Sequence, residues 1–401
     1  METIKDLYII GPGPSSSHTI GPHRAALDFI KDLNKEDVDE IIVTLYGSLA
    51  LTGKGHLTDR TISDVLRDYK HTINFDYSLK NLLHPNTVKF DAYKNNKIIK
   101  EKTYFSVGGG KIVTNLNNLE GIEVYDLNSF DSIKKYLIDN KLNLIEYINQ
   151  KENKDLDEYL AKVFDKMMDS VESNLKKDGL IPGNLKLSRV AKTIFENANK
   201  LNSGEEKYLM LITSFAYAAV EGNASGELVV TAPTCGSSGI IPAILYYEYK
   251  YNNVSKSTII DSLKVAGIFG NLCKRNASIS GAVLGCQAEV GVASSMASAA
   301  LCYIHGLSLY QIEYGAEVAL EHFLGLTCDP VEGYVQIPCI ERNGIGALRS
   351  YNSYLYAKNI APFRHNKVSF DDVVEAMKMT GESLNSDYKE TSGGGLAKVI
   401  K

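Results

Sequence analysis

The sequence predicts an α+β N-terminal domain joined to an all-α C-terminal domain. Short β-like runs alternate with helical stretches through the first third, and from Leu160 onward β signals almost vanish. Between the two, residues 149–157 are charged and turn-rich, which sets the α+β domain at 1–150 and the helical domain at 157–401.

Each element has a local reason. Residues 25–33 carry apolar side chains at helical spacing; Pro22 suits the first turn of that helix, with Thr19 or a nearby serine as its cap. Residues 41–46, Ile-Ile-Val-Thr-Leu-Tyr, read as a strand ending at Gly47. Residues 64–69 return to helical spacing, and 100–107 read as another strand, stopped by Gly108, Gly109 and Gly110. Further on, Ser203 and Glu206 have the spacing of a capping box that opens an apolar helix through Val220. Helices are expected at 259–272, 309–324 and 371–379, while 290–301 is rich enough in Ala, Ser and Gly for neighbouring helices to approach closely. Glycine-bearing loops at 231–239, 276–285, 327–333 and 393–396 separate them, so this domain reads as a helical bundle whose loops carry chemistry.

Composition narrows the function. With 401 residues the chain can bury an ample core, and a net charge of −5 without a long basic run argues against nucleic acid as a partner. Met1 is not followed by an apolar export segment, and the longest apolar run, 209–220, falls short of the ~20 residues a membrane span needs. Six cysteines without a dense framework fit a reducing compartment. A soluble cytoplasmic protein is the expectation.

Several segments have residue types suited to chemistry. The run Gly11-Pro-Gly-Pro-Ser15-Ser16-Ser17-His18-Thr19 offers hydroxyls, an imidazole and a helix start to a carboxylate or phosphate, although a solvated capping loop would look the same. Gly53-Lys-Gly-His56 sets a histidine in glycine-rich company just ahead of a helix, where an imidazole could serve as general base. Neither this segment nor Gly108-Gly-Gly-Lys111 has P-loop spacing. Cys235, in Ala-Pro-Thr234-Cys-Gly-Ser-Ser, resembles a nucleophile loop, while Cys273 and Cys302 fall on apolar helical faces and read as core. Cys286, Cys328 and Cys339 differ, since no two share a helical turn and each has loop-like neighbours. Three such thiolates can hold an iron–sulfur cluster with one iron left free of protein, or can be inert buried thiols; the lack of any C-x-x-C speaks against a zinc ribbon or a ferredoxin-type cluster.

Together these segments resemble the iron–sulfur-dependent L-serine dehydratases (L-serine ammonia-lyases) of bacteria, in their single-chain form. The resemblance rests on Gly13-Pro-Ser-Ser-Ser-His-Thr19, Tyr46-Gly-Ser-Leu49, Thr52-Gly-Lys-Gly-His56 and Thr231-Ala-Pro-Thr234. It continues through Asn276-Ala-Ser278-Ile-Ser-Gly281, Gly285-Cys-Gln287, Gly325-Leu-Thr-Cys-Asp-Pro330, Gln336-Ile-Pro-Cys-Ile-Glu-Arg-Asn343 and Lys389-Glu-Thr391-Ser392, which is essentially the whole chain. It implies a [4Fe–4S] cluster on Cys286, Cys328 and Cys339, with the fourth iron reserved for L-serine. It also implies an N-terminal domain similar to the allosteric substrate-binding domain of some phosphoglycerate dehydrogenases, a helical catalytic domain, an active site where the two meet, and a homodimer.

The matching segments supply Ser15, Ser16, Ser17, Thr19, Thr234, Asn276, Ser278, Lys389 and Thr391 as substrate-binding candidates. His56 is the expected base at the α-carbon and His18 the alternative. Two departures stand out. Some relatives end in a cysteine able to fill the open iron, and this sequence, ending Ala-Lys-Val-Ile-Lys401, has none, so that self-inhibition is not expected. Many relatives carry Asn where Cys235 stands. The competing readings are a PLP-dependent dehydratase, for which Gly108-Gly-Gly-Lys111 is a poor phosphate loop, and an amino-acid-binding sensor with inert cysteines.

Overall fold

The computed structural model describes every residue except 79–81, 117–121, 203, 365, 392 and 401. It contains two compact units, Gly11–Gly121 and a larger one formed by Met1–Ile10 with Ile122–Lys401.

The smaller unit is built from α1 (Gly21–Ile30), β1 (Glu40–Gly47), α2 (Ser48–Thr52), α3 (Thr58–Val65), β2 (His71–Asp76), β3 (Asn86–Lys94), β4 (Lys97–Ser106) and β5 (Ile112–Val113). The strands form one mixed sheet in the order β2-β1-β3-β4-β5. Only the β1–β2 pair is parallel, with Ile41 opposite His71, and its crossover passes through α2 and α3. Along β1 the buried residues Ile41, Val43 and Leu45 alternate with half-exposed ones, as a sheet covered on one face requires. Ala25, Ala26 and Phe29 of α1 and Ile62 of α3 pack on that face against Val88, Phe90 and Tyr104. Asn95 and Asn96 both take positive φ in the two-residue β3–β4 turn, the geometry that matches strand twist in a tight hairpin.

One expected element is displaced. The helix anticipated at 64–69 runs instead over Thr58–Val65, because Leu66 closes it and a turn, Tyr69 N–H to Leu66 O at 2.8 Å, leads into β2. Val65, Leu66 and Tyr69 do have helical spacing, but two of the three lie past the last helical residue.

The larger unit is almost wholly helical: α4 (Phe130–Asn140), α5 (Leu144–Lys151), α6 (Leu156–Asn174), α7 (Ala191–Lys200), α8 (Glu205–Ala224), α9 (Ile240–Lys250), α10 (Lys256–Asn276), α11 (Gly281–Leu284), α12 (Val290–Ile304), α13 (Leu309–Glu321), α14 (Cys339–Asn359), α15 (Phe370–Ser383) and α16 (Gly395–Val399). A three-residue strand, Leu228–Val230, is its departure from an all-α reading. The expected capping box falls on Ser203, outside the described residues, and α8 continues past Val220 to Ala224. All residues of α12 from Val290 through Cys302 are buried, and α9, α10, α13 and α14 pack around it. A helix apolar all round, with small side chains, belongs at the centre of a bundle. Ile4, Leu7 and Tyr8 join the same core, Tyr8 donating to Leu263 O at 3.0 Å. The charged stretch 149–157 lies within this unit, at the α5–α6 junction. Among the described residues, no helix is long and apolar enough to cross a membrane.

Candidate metal centre and histidine pair

Cys286 heads a short 3₁₀ turn, Cys286–Ala288, that runs into α12. The next residue, Gln287, fixes this turn: its amide donates to Leu284 O (2.8 Å) and Met377 O (3.1 Å) and accepts from Gly325 N–H (3.0 Å). Cys328 is held through its backbone, its N–H donating to Tyr388 O (2.8 Å) and its carbonyl accepting from Glu390 N–H (2.7 Å). Cys339 is the first residue of α14. Asn343, one turn on, donates to Cys339 O and to Gly236 O (2.8 Å each) and accepts from Gly239 N–H (2.9 Å), so it ties loop 231–239 to this helix end.

Two of these segments bring their cysteine side chains together. The ligand atoms of Cys286, Glu289 and Cys328 lie within 4.8 Å of one another, a set that can hold a metal ion. Glu289 Oε2 is 3.9 Å from Cys286 Sγ and 3.8 Å from Cys328 Sγ, while its Oε1 accepts from Thr234 Oγ1 at 2.6 Å. Cys339 is near enough to feel the charges of Cys286 and Glu289. A Cβ on Gly281 would stand 2.6 Å from Glu289 Oε2 and 3.2 Å from Cys328 Sγ, so only glycine admits this approach. All three cysteines are free thiols and buried. Hydrogen bonding with Cys286, then burial, pushes the Cys328 thiol up; burial pushes up Cys339 and the Glu289 carboxyl. Desolvation and the neighbouring Glu289 push Glu390 up to about 8.

In the smaller unit His18 and His56 stack, with ring centroids 4.6 Å apart and planes 29° from parallel. Residues Ser16–Ile20 make one π-helical turn, capped by Ser15, whose hydroxyl accepts from His18 N–H at 3.2 Å. Thr19 does not cap α1 as the sequence suggested: its hydroxyl donates to His56 O (2.7 Å), and Thr58 Oγ1 donates to His18 O (2.6 Å). Each histidine backbone is thus held by a threonine of the other's segment. Both ring nitrogens of His18 are engaged, Nδ1 with Ser17 Oγ and Nε2 with Ser48 Oγ, at 2.8 Å each. His56 Nδ1 meets Thr52 O at 3.1 Å. A carbonyl only accepts, so Nδ1 carries the proton and the Nε2 lone pair of the neutral ring is free to take another. Burial drives the His56 pKa down to about 4, and burial with the neighbouring His56 drives His18 well below its ordinary value.

The remaining candidates are distributed unevenly. Ser15, Ser16, Ser17 and Thr19 lie in the buried or half-buried turn beside the histidines, and Thr234 reaches the metal centre through Glu289. Lys389 pairs with Cys328 through the backbone. Asn276 donates to Asn128 O (2.7 Å), far away in sequence, while Ser278 Oγ accepts from Ser280 N–H (3.0 Å) and Thr391 Oγ1 donates to Asp387 O (3.0 Å), both locally. Cys235 is fully buried, no histidine among the described residues is bonded to it, and burial raises its pKa, a setting that suits an inert thiol better than a nucleophile. Sequence reasoning missed Glu289, Arg342, Glu390 and Ser48. Glu289 and Arg342 each stand three residues after a cysteine, one turn along a helical stretch, and that spacing was the available signal.

Residues 77–397 match the serine dehydratase alpha chain family, and residues 3–67 match the serine dehydratase beta chain family. The L-serine dehydratase of Helicobacter pylori is 38% identical over 453 aligned positions, which cover 100% of this chain and 99% of the relative. L-serine dehydratase 2 of Escherichia coli is likewise 38% identical, with 100% and 99% coverage, and the Streptomyces coelicolor L-serine dehydratase is 37% identical, with 99% of both. Alpha-type and beta-type segments thus run in one polypeptide, and the similarity extends over the full length: the chain belongs to the serine dehydratase family.

Proposed function

We propose that this chain is an L-serine ammonia-lyase that dehydrates L-serine to aminoacrylate, which then hydrolyses to pyruvate and ammonia, with a [4Fe–4S] cluster as cofactor. The observation that carries the proposal is the approach of Cys286 and Cys328, from separate segments, to the half-buried Glu289, with Cys339 near enough to feel the charges of Cys286 and Glu289. The donor set fits the cluster: soft thiols, none lost to a disulfide, with an arginine beside them. Cys286, Cys328 and Cys339 would hold it, and when bound it supplies a Lewis acid for the β-hydroxyl of serine.

The protein's own groups do the rest. His56 takes the α-proton on Nε2, its tautomer fixed by Thr52 O. The C–H electron pair becomes the Cα–Cβ double bond as the β-oxygen leaves with its bonding pair. His18, bound at both nitrogens, stacks on His56 and holds its ring plane. The sequence resemblance makes Ser15, Ser16, Ser17, Thr19, Thr234, Asn276, Ser278, Lys389 and Thr391 the candidates for holding the carboxylate and ammonium of the substrate. A homodimer, a cytoplasmic location, and a division into an α+β effector-type domain and a helical catalytic domain belong to the same proposal; their support is the sequence resemblance.

The test is anaerobic purification with iron and sulfide analysis beside a pyruvate assay. About four irons and four sulfides per chain are expected, with pyruvate formed from L-serine and abolished by Cys328→Ala. Undiminished turnover by that variant would overturn the proposal. Pyridoxal absorption without iron would instead identify a PLP enzyme, and serine binding without turnover a sensor.

A further inference from the structure

We infer that Arg342 is a positioning residue for the cysteine triad, locking the Cys328 loop onto the Cys339 helix and setting positive charge against the sulfurs. The inference rests on the cluster reading above. Arg342 lies one turn into α14, three residues after Cys339. Its Nη1 donates to Thr327 O at 2.6 Å and its Nη2 to Asp329 Oδ1 at 3.1 Å, so both prongs grip the residues that flank Cys328. Burial pulls the guanidinium pKa down, but Cys286, Cys339 and Asp329 lie close enough to hold it above its ordinary value. Asp329 is itself fixed, accepting from Thr327 Oγ1 at 3.1 Å on one oxygen and from Leu396 N–H at 2.8 Å on the other.

The pair is enclosed, with side chains 16% and 5% exposed. Cys328 is held by backbone bonds to 388–390, and Cys339 by the start of a helix and the Asn343 amide. Arg342 is the group that joins them directly. A planar fork matches this two-point grip in a way that a lysine ammonium does not. A cluster on three thiolates carries negative charge, and the adjacent cation offsets it and favours uptake of an electron.

The experiment compares wild type, Arg342→Gln, Arg342→Lys and Asp329→Asn, all purified anaerobically. Iron and sulfide are assayed, loss of visible cluster absorption is timed against a chelator, and the reduction potential is measured by dye-mediated titration. Arg342→Gln is expected to lose iron roughly ten-fold faster or more, the scale of outer-shell effects on metal retention, and to shift to a more negative potential. Arg342→Lys keeps the charge without the fork, so its potential stays near wild type while iron leaves faster; Asp329→Asn also leaks iron faster. A purely structural brace would leave the potential of Arg342→Gln unmoved, and that result, or wild-type retention, overturns the inference. Should Arg342→Gln fail to fold, wild-type retention by both other variants overturns it as well. A wild-type chain that holds no cluster brings down the functional proposal and this inference together, whereas a loaded wild type beside an equally retentive Arg342→Gln removes the inference alone.

Discussion

His18 and His56 share a stack but, under the proposed function, not a role, and the difference lies in one nitrogen. His56→Gln is expected to lower kcat about 10²- to 10⁴-fold, the usual worth of a positioned general base, with KM little changed; a kcat within two- or three-fold of wild type would reassign the base. The depressed His56 pKa also has a stability sign. The unfolded chain takes up the proton near 6.5 and the folded one near 4, so this contribution is complete above pH 6.5 and is lost as pH falls toward 4. At 1.36 kcal/mol per unit the loss is at most about 3 kcal/mol. Urea titrations from pH 7.5 to 4 should show a shallower decline for His56→Gln than for wild type, with part of the slope left because His18 titrates in the same sense; equal slopes would contradict this. At this scale Cys286 and Cys328, which meet at Glu289, and the stacked His18 and His56 stood out in sequence because their neighbours are unusual. Glu289 and Arg342 did not, because an acid or base on a helix is ordinarily a solvated one, and only packing reveals where they point.

Elements were legible where one face alone is apolar. β1 and the helices α10, α13 and α15 follow their periodicity, whereas β3 is hidden by charges that pair on the sheet: Lys89 Nζ lies 2.7 Å from Glu101 Oε2 and 3.1 Å from Asp91 Oδ1. That pairing lets polar residues occupy a strand flanked on both sides. The closeness of α12 and α13 makes a sharper prediction. A Cβ on Gly315 would sit 2.7 Å from Cys302 Sγ and 3.0 Å from Ser298 Oγ. Gly315→Ala should cost about 1–3 kcal/mol by overpacking, and Cys302→Ala in the same chain should recover part of it by removing the nearer atom. Thermal and urea melts of the two single variants and the double variant measure the coupling; strict additivity would mean that the helices shift instead of clashing.

For the whole molecule, the alpha-type and beta-type matches divide between residues 67 and 77, yet β1 on one side of that division pairs with β3 on the other and with β2, which lies between the two matches. The core that joins Ile41, Val43 and Leu45 to Val88 and Phe90 is cut by it as well. Residues 71–401 made alone would therefore expose the unpaired edges of β2 and β3 and should aggregate; co-expression with residues 1–70 as a separate chain should restore soluble protein that co-purifies. Soluble, monodisperse 71–401 without its complement would refute this. The most enclosed helix of the bundle, α12, is entered directly from the turn that bears Cys286, and a glutamine satisfied on three sides braces that turn. A turn braced in this way is expected to keep its shape before the proposed cluster is loaded, unlike a zinc finger, which has no shape without its ion. Air-bleached enzyme should keep its far-ultraviolet circular dichroism and regain turnover when iron, sulfide and thiol are returned under nitrogen, with no denaturation step between. Damage by oxygen would then be an emptying that the cell can reverse, and the polypeptide would outlive many fillings.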